Sequence, residues 1–328
     1  MRNLGLIAMI LLLFGCDTEV DLIYEADAIP IVYCLLDPGE EIQTIRLSKS
    51  FITEQGETIS DSTELYYYQD DVRLAIEKME GDKAVQHTEF APVTINKESG
   101  FFPGQYHIVY QSRMEIATNT VYRLVIYLEK EDKLIYAFTT TPGDFTIIDP
   151  SHPEVRALHF SVDHNPVFHW TPSENVHIYQ LGFQFNYYET DSTGSLLKSL
   201  LVPLKTIVLQ NNPGWFYSFD INSTKFYASL GSLLDAKPEV LRSFQSIDAI
   251  VIAGGEELAV HFQLEKEGDP FRMLDYSNIQ NGIGVFSGIG YSYSRGFRIT
   301  DQSIDSLAYG RFTHELNFLD RYGNRKGK

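Results

Sequence analysis

The 328-residue chain carries 44% hydrophobic and 21% charged side chains, too apolar to stay disordered and long enough for about two domains. Its 44 acids against 26 bases leave a net charge of −18, a surface that repels a phosphate backbone and excludes nucleic-acid binding as its main work. Two cysteines exclude a disulfide scaffold, and 20 Tyr with 21 Phe favour pleated, half-buried surfaces over helical bundles.

The N-terminus supplies the first element. One positive charge at Arg2 precedes an apolar run from Leu4 to Phe14, which is too short to span a bilayer and reads as a signal-peptide core over 1–15. Leu13-Phe14-Gly15-Cys16 resembles a bacterial lipobox, in which a small residue admits the lipoprotein signal peptidase and the Cys16 thiol receives diacylglycerol. Phe14 is bulkier than the residue usual at its position. An acylated Cys16 predicts a body anchored to a membrane without spanning it, because two or three acyl chains bind durably where one does not. Asp17, Glu19 and Asp21 follow the anchor. Acids there accompany surface export in Bacteroidota-type lipoproteins, whereas Asp directly after the Cys favours inner-membrane retention in another bacterial group, so the leaflet stays open.

Residues 16–143 read as an N-terminal β-sandwich domain. The continuous apolar run Ile31-Val32-Tyr33-Cys34-Leu35-Leu36 lies between Pro30 and Pro38, and its Cys34 reads as a small buried hydrophobe. Alternation marks strands at Ile42–Leu47, Val72–Ile76 and Gln105–Tyr110, and Val121–Leu128 pairs with Leu134–Phe138 across a charged turn. The segment from Lys49 to Arg73 carries acids without bases, a solvated loop in which no calcium-loop spacing occurs. Tyr66-Tyr67-Tyr68 closes it; consecutive strand residues cannot all point inward, which makes these three the candidate aromatic binding surface.

Residues 144–328 read as a second, sandwich-like domain with a helical insertion near 223–245. Pro166–Pro172, with Trp170, followed by Val176–Tyr188, looks like the opening of a fibronectin-III-like or related immunoglobulin-like sandwich. Asn222 or Ser223 caps a helix carrying Phe226, Tyr227, Leu230, Leu233 and Leu234 on one face, and Val240–Phe244 adds a short helical turn. Strands resume at Ile247–Ala253 and Leu258–Leu264, joined as a hairpin through Gly254-Gly255. The fold class is therefore mainly β, with two immunoglobulin/fibronectin-III-like sandwiches.

No constellation for catalysis emerges. Five of the nine histidines (His152, His159, His164, His169 and His177) are clustered, yet none are spaced as ligands on a helix, and His159 alternates outward as on any half-buried strand. No nucleophile elbow or P-loop is present, and Gly282-Ile283-Gly284 leads into the alternating Tyr291-Ser292-Tyr293-Ser294 rather than the helix a dinucleotide site requires. Catalytic residues, metal and cofactor are all expected to be none.

Tyr276-Ser277-Asn278-Ile279-Gln280-Asn281-Gly282-Ile283-Gly284-Val285-Phe286-Ser287-Gly288, with Asp269-Pro270-Phe271 before it, resembles the signature of a Bacteroidota lipoprotein family catalogued as domain of unknown function 4249. Ile31–Leu36, Gln43–Ser50, Tyr122–Ile126 and Tyr136–Pro142 match its other segments; the chain departs at Asn281, where many members have a second Gly. The resemblance implies an exported lipoprotein encoded beside TonB-dependent receptors, with Asn278, Gly282 and Gly284 shaping a loop. The expected function is thus a non-enzymatic, lipid-anchored outer-membrane accessory protein, partner of a TonB-dependent receptor in ligand capture or uptake. The alternative is an independent surface binding module for glycans or peptides.

Overall fold

The computed structural model describes residues 28–50, 67–68, 72–96, 106–150, 157–161, 163–209, 215–267 and 276–325. They are mainly β. The strands are β1 (Pro30–Leu36), β2 (Ile42–Lys49), β3 (Val72–Glu80), β4 (Lys83–Glu89), β5 (Ala91–Asn96), β6 (Tyr106–Arg113), β7 (Val121–Leu128) and β8 (Lys133–Thr140). Then follow β9 (Ile147–Asp149), β10 (Val167–Trp170), β11 (Ile178–Asp191), β12 (Gly194–Val208), β13 (Tyr217–Asp220), β14 (Leu241–Gly254) and β15 (Ile283–Phe297). Three helices join them: α1 (Ser223–Leu233), α2 (Glu256–Glu267) and α3 (Asp301–Tyr309).

One eight-stranded sheet, in the order β12-β11-β14-β15-β1-β2-β6-β5, runs through both halves of the chain. Its two halves are joined by β15, whose first part pairs parallel with β1 and whose last part pairs antiparallel with β14. The four-stranded sheet β4-β3-β7-β8 covers one half and encloses a core that includes Val32, Leu36, Ile45, Leu74, Leu124, Ile126 and Ile135. Alternation built this core: on β7 the inward set Tyr122, Leu124, Ile126 and Leu128 is buried while its neighbours are not. The other half, with the β13-β10-β9 sheet and the helices, holds a second core rich in rings, where Phe160, Phe168, Phe183 and Phe226 pack edge to face or stacked. Trp170 is fully buried there, against Tyr179 and Tyr217. Among the described residues no helix is long and apolar enough to cross a membrane.

The predicted helix at 223 forms, and Asn222 caps it: its side-chain oxygen accepts from the Lys225 amide at 2.8 Å. It stops at Leu233, short of 245, since residues 241–244 belong to β14, where Arg242 aligns with Glu189. The hairpin expected through Gly254-Gly255 is replaced by α2. Both edges of β14 are already taken by β11 and β15, leaving no place for another partner strand. Residues 256–267 are instead rich in helix formers, with Glu256 and Glu257 in the first turn and Lys266 in the last, matching the helix dipole at both ends.

Candidate functional site

The run Ile31–Leu36 is apolar on both faces of its strand. Val32, Cys34 and Leu36 enter the first core, so Tyr33 and Leu35 must stand on the opposite face, where they remain 44% and 43% exposed. Strand register places Tyr33 opposite Arg46 of β2 on one side and Val285 of β15 on the other. Further along the same face β6 contributes His107 and Val109 and β5 contributes Ile95, which pairs with His107. Leu258 and His261 of α2 rise beside β15 and make a wall. The result is an open groove of about 460 Å³ with an apolar floor.

Polar groups converge at one part of this floor. The Tyr67 hydroxyl lies 2.6 Å from Nδ1 of His107 and stands beside the Arg46 guanidinium. Burial pushes the Tyr67 hydroxyl above its ordinary titration range, with the Arg46 charge opposing that rise, so it stays a neutral phenol that can bridge both groups. Across the groove His261 meets the Tyr33 ring edge to face at 6.3 Å.

Of the three tyrosines predicted as a binding surface, the two described ones turn inward. Tyr67 and Tyr68 are both buried: Tyr67 serves the groove side, and Tyr68 enters the first core, where its carbonyl accepts from the Tyr110 hydroxyl at 3.1 Å. Tyr66 and Cys16 lie outside the described residues.

Asn278, Gly282 and Gly284 act on the backbone beneath the groove. The Asn278 side chain mimics a strand partner, accepting from the Phe286 amide at 3.0 Å and donating to the carbonyls of Phe286 at 2.7 Å and Phe138 at 3.3 Å. A Cβ on Gly282 would stand 2.9 Å from the Pro30 carbonyl oxygen, and Gly284 adopts φ +125° tight against Val32. Asn281 takes φ +61°, the left-handed conformation for which glycine and asparagine are the usual residues, and donates to the Leu134 carbonyl at 2.8 Å. These residues clamp β15 to β1 and β8, and so fix Val285 in the groove floor.

Of the histidine cluster, His159 pairs with the Thr300 hydroxyl at 2.9 Å and lies beside His164, His169 faces Asp149 at 3.7 Å, and His177 is exposed. His152 lies outside the described residues, among which no three His, Cys, Asp or Glu side chains gather as a metal site would need. Burial raises the Cys34 thiol far above its ordinary range, which leaves it without the thiolate that nucleophilic chemistry uses.

Glu257, on the first turn of α2, accepts from the Ser287 hydroxyl at 3.2 Å and the Thr139 hydroxyl at 3.3 Å. Burial first, and the Glu256 charge to a lesser degree, raise its carboxyl above 4.5. A raised folded-state value means that the stability it contributes is complete below pH 4.5 and is lost as the pH climbs through that raised value. Glu257→Gln keeps an acceptor oxygen without the charge. We expect it to raise the thermal midpoint by about 2 °C near neutral pH and to leave it unchanged in mild acid, as read by differential scanning fluorimetry. A gain that is the same at both pH values would disprove the assignment.

The groove residues Arg46, His107 and His261 were not legible as a site, although one signal was present. A strand apolar on both faces needs cover on both, and only one of those faces was claimed by the core. Comparison with known proteins adds no family to this geometry: no family model matches the chain, and no curated protein matches it.

Proposed function

We propose that this chain is a non-enzymatic, lipid-anchored accessory protein of the outer membrane, which partners a TonB-dependent receptor and holds a ligand for it. The groove over β1, β2, β6 and β15 carries this reading. It has the size of a small-molecule site and an apolar floor, with a few polar groups converging on it. Cys34 turns into the core beneath the groove, where burial leaves it unsuited to nucleophilic attack. The lipobox at Leu13–Cys16 supports the anchor, and the Asn278–Gly284 signature, which braces the groove floor, supports membership of the Bacteroidota lipoprotein family. We read the two cores as immunoglobulin/fibronectin-III-like sandwiches of residues 16–143 and 144–328, a reading supported by the buried Trp170 of the second. On this reading β15 is shared between them.

Stacking of sugars, the motive for an independent glycan module, asks for several exposed aromatics in one groove. Tyr33 is the only Tyr, Phe or Trp among the described residues that line this one.

The test is recovery of the tagged protein from outer membranes in mild detergent. A β-barrel receptor should come with it, and Cys16→Ala should shift the protein out of the membrane fraction. Recovery of the protein alone would sink the receptor partnership in favour of an independent module, and unchanged fractionation of Cys16→Ala would sink the anchor.

A further inference from the structure

We infer that the groove takes a small amphipathic carboxylate, with an aromatic or branched aliphatic body on the floor and its one carboxylate against Arg46. This deepens the ligand-capture reading and rests on it for its biological setting alone.

Charge is the first reason. The chain carries −18, yet among its described lining residues the groove has Arg46, His107 and His261 and neither Asp nor Glu. Against so acidic a body, such a lining selects for an anion and leaves cations to the rest of the surface. Geometry is the second. A guanidinium presents a planar fork that fits a carboxylate with two parallel hydrogen bonds, and the one on Arg46 stands beside the Tyr67 hydroxyl, itself bonded to His107. The third reason is the floor. Tyr33, Leu35 and Val285 extend from Arg46 towards α2 across three neighbouring strands, a distance of about 10 Å. That suits a ring or short branched chain. A bare phosphate would leave this surface wet.

The full chain carrying Cys16→Ala, so that no acyl group of its own competes, is titrated calorimetrically with 4-phenylbutyrate, with the matched neutral 4-phenylbutanamide and with inorganic phosphate. The carboxylate should bind about tenfold more tightly than the amide, and phosphate should not bind measurably. Arg46→Gln, at an exposed position on β2, should bring carboxylate and amide to within about twofold of each other. Leu35→Glu, which sets a carboxylate in the floor, should weaken the carboxylate by more than tenfold and the amide far less. Equal affinities in the parent chain, a preference that survives Arg46→Gln, or no binding of either organic probe at millimolar concentration would overturn the inference. Carboxylate-selective binding by a protein that recovers no receptor would keep this inference and defeat the receptor partnership; receptor recovery without binding would do the reverse.

Discussion

Gly284→Ala should be among the most damaging single substitutions in the chain, costing about 4 kcal/mol or more and lowering the thermal midpoint by about 10 °C, or preventing soluble expression. Two effects add. The backbone there has φ +125°, which L side chains rarely adopt, a strain of about 1–3 kcal/mol. A Cβ would also press on the main chain of β1, overlapping the Val32 carbonyl oxygen, with the Val32 carbonyl carbon at 2.8 Å and nitrogen at 3.0 Å. Neither neighbour is a flexible side chain that can swing away. The clash is relieved only if β15 withdraws from β1, which opens the parallel ladder from Ile31↔Ile283 to Leu36↔Gly288 and draws Phe286 out of the first core. Gly296→Ala is the control, since Gly296 lies on the same strand with φ +82° but has nothing within 4 Å of the place its new methyl group would occupy. It should lose about 1–2 kcal/mol, the strain alone. Equal losses at 284 and 296, measured by thermal and urea unfolding, would show that close approach to β1 contributes nothing. Because Val285 follows Gly284 into the groove floor, any folded Gly284→Ala protein should also lose ligand affinity.

Much of the scaffold was readable because local patterns and tertiary demands agree. On β7, period-two alternation and core packing select the same residues, and at α1 the Asn222 cap, the apolar stripe and the buried Phe226 and Leu230 coincide. Gly282 and Gly284 were readable as places of close backbone approach, but Gly284 lies within strand β15, and what approaches the two glycines is Pro30 and Val32, more than 240 positions earlier in the chain. Residues 258–264 misled for a physical reason. Their apolar composition fits strand or helix alike, and the choice fell to the two strands already flanking β14. Val240–Phe244 failed in the same way, as pairing with β11 overrode a short local preference. The groove was hidden more deeply. Tyr33, Arg46, His107, His261 and Val285 come from five separate elements, and only strand register and the docking of α2 bring them onto one face. Tyr67 and Tyr68 show the limit of alternation: consecutive residues point to different sides, yet both sides are covered.

Arg242→Met should cost about 3–5 kcal/mol, because it strands a partly buried carboxylate and two carbonyls at once. Arg242 is 1% exposed. Its Nε and Nη2 donate to Oε1 of Glu189 at 2.9 and 2.7 Å, and Nη1 donates to the carbonyls of Asp235 at 3.0 Å and Leu316 at 2.9 Å. Four hydrogen bonds thus converge from β11, from the turn after α1 and from the C-terminal segment. The same residue's backbone holds that segment too, its amide donating to the Asn317 carbonyl at 3.0 Å and its carbonyl accepting from the Leu319 amide at 2.8 Å. Packing of Leu316 and Phe318 against the second core therefore depends on a charged group that the core itself surrounds. Methionine matches the length of the arginine stem but satisfies none of these acceptors, and Glu189 is left desolvated without a counter-charge. A lysine at 242 retains charge yet cannot serve Glu189, Asp235 and Leu316 together, so Arg242→Lys should recover only part of the loss. The decisive comparison is the double variant Arg242→Met with Glu189→Gln. If the cost arises from an abandoned carboxylate, removing that charge restores at least about 1 kcal/mol, and the urea midpoints of the four proteins close a thermodynamic cycle with clear coupling. Losses that simply add would mean that Arg242 acts through its packing and its two carbonyl partners, with the Glu189 pair contributing nothing of its own.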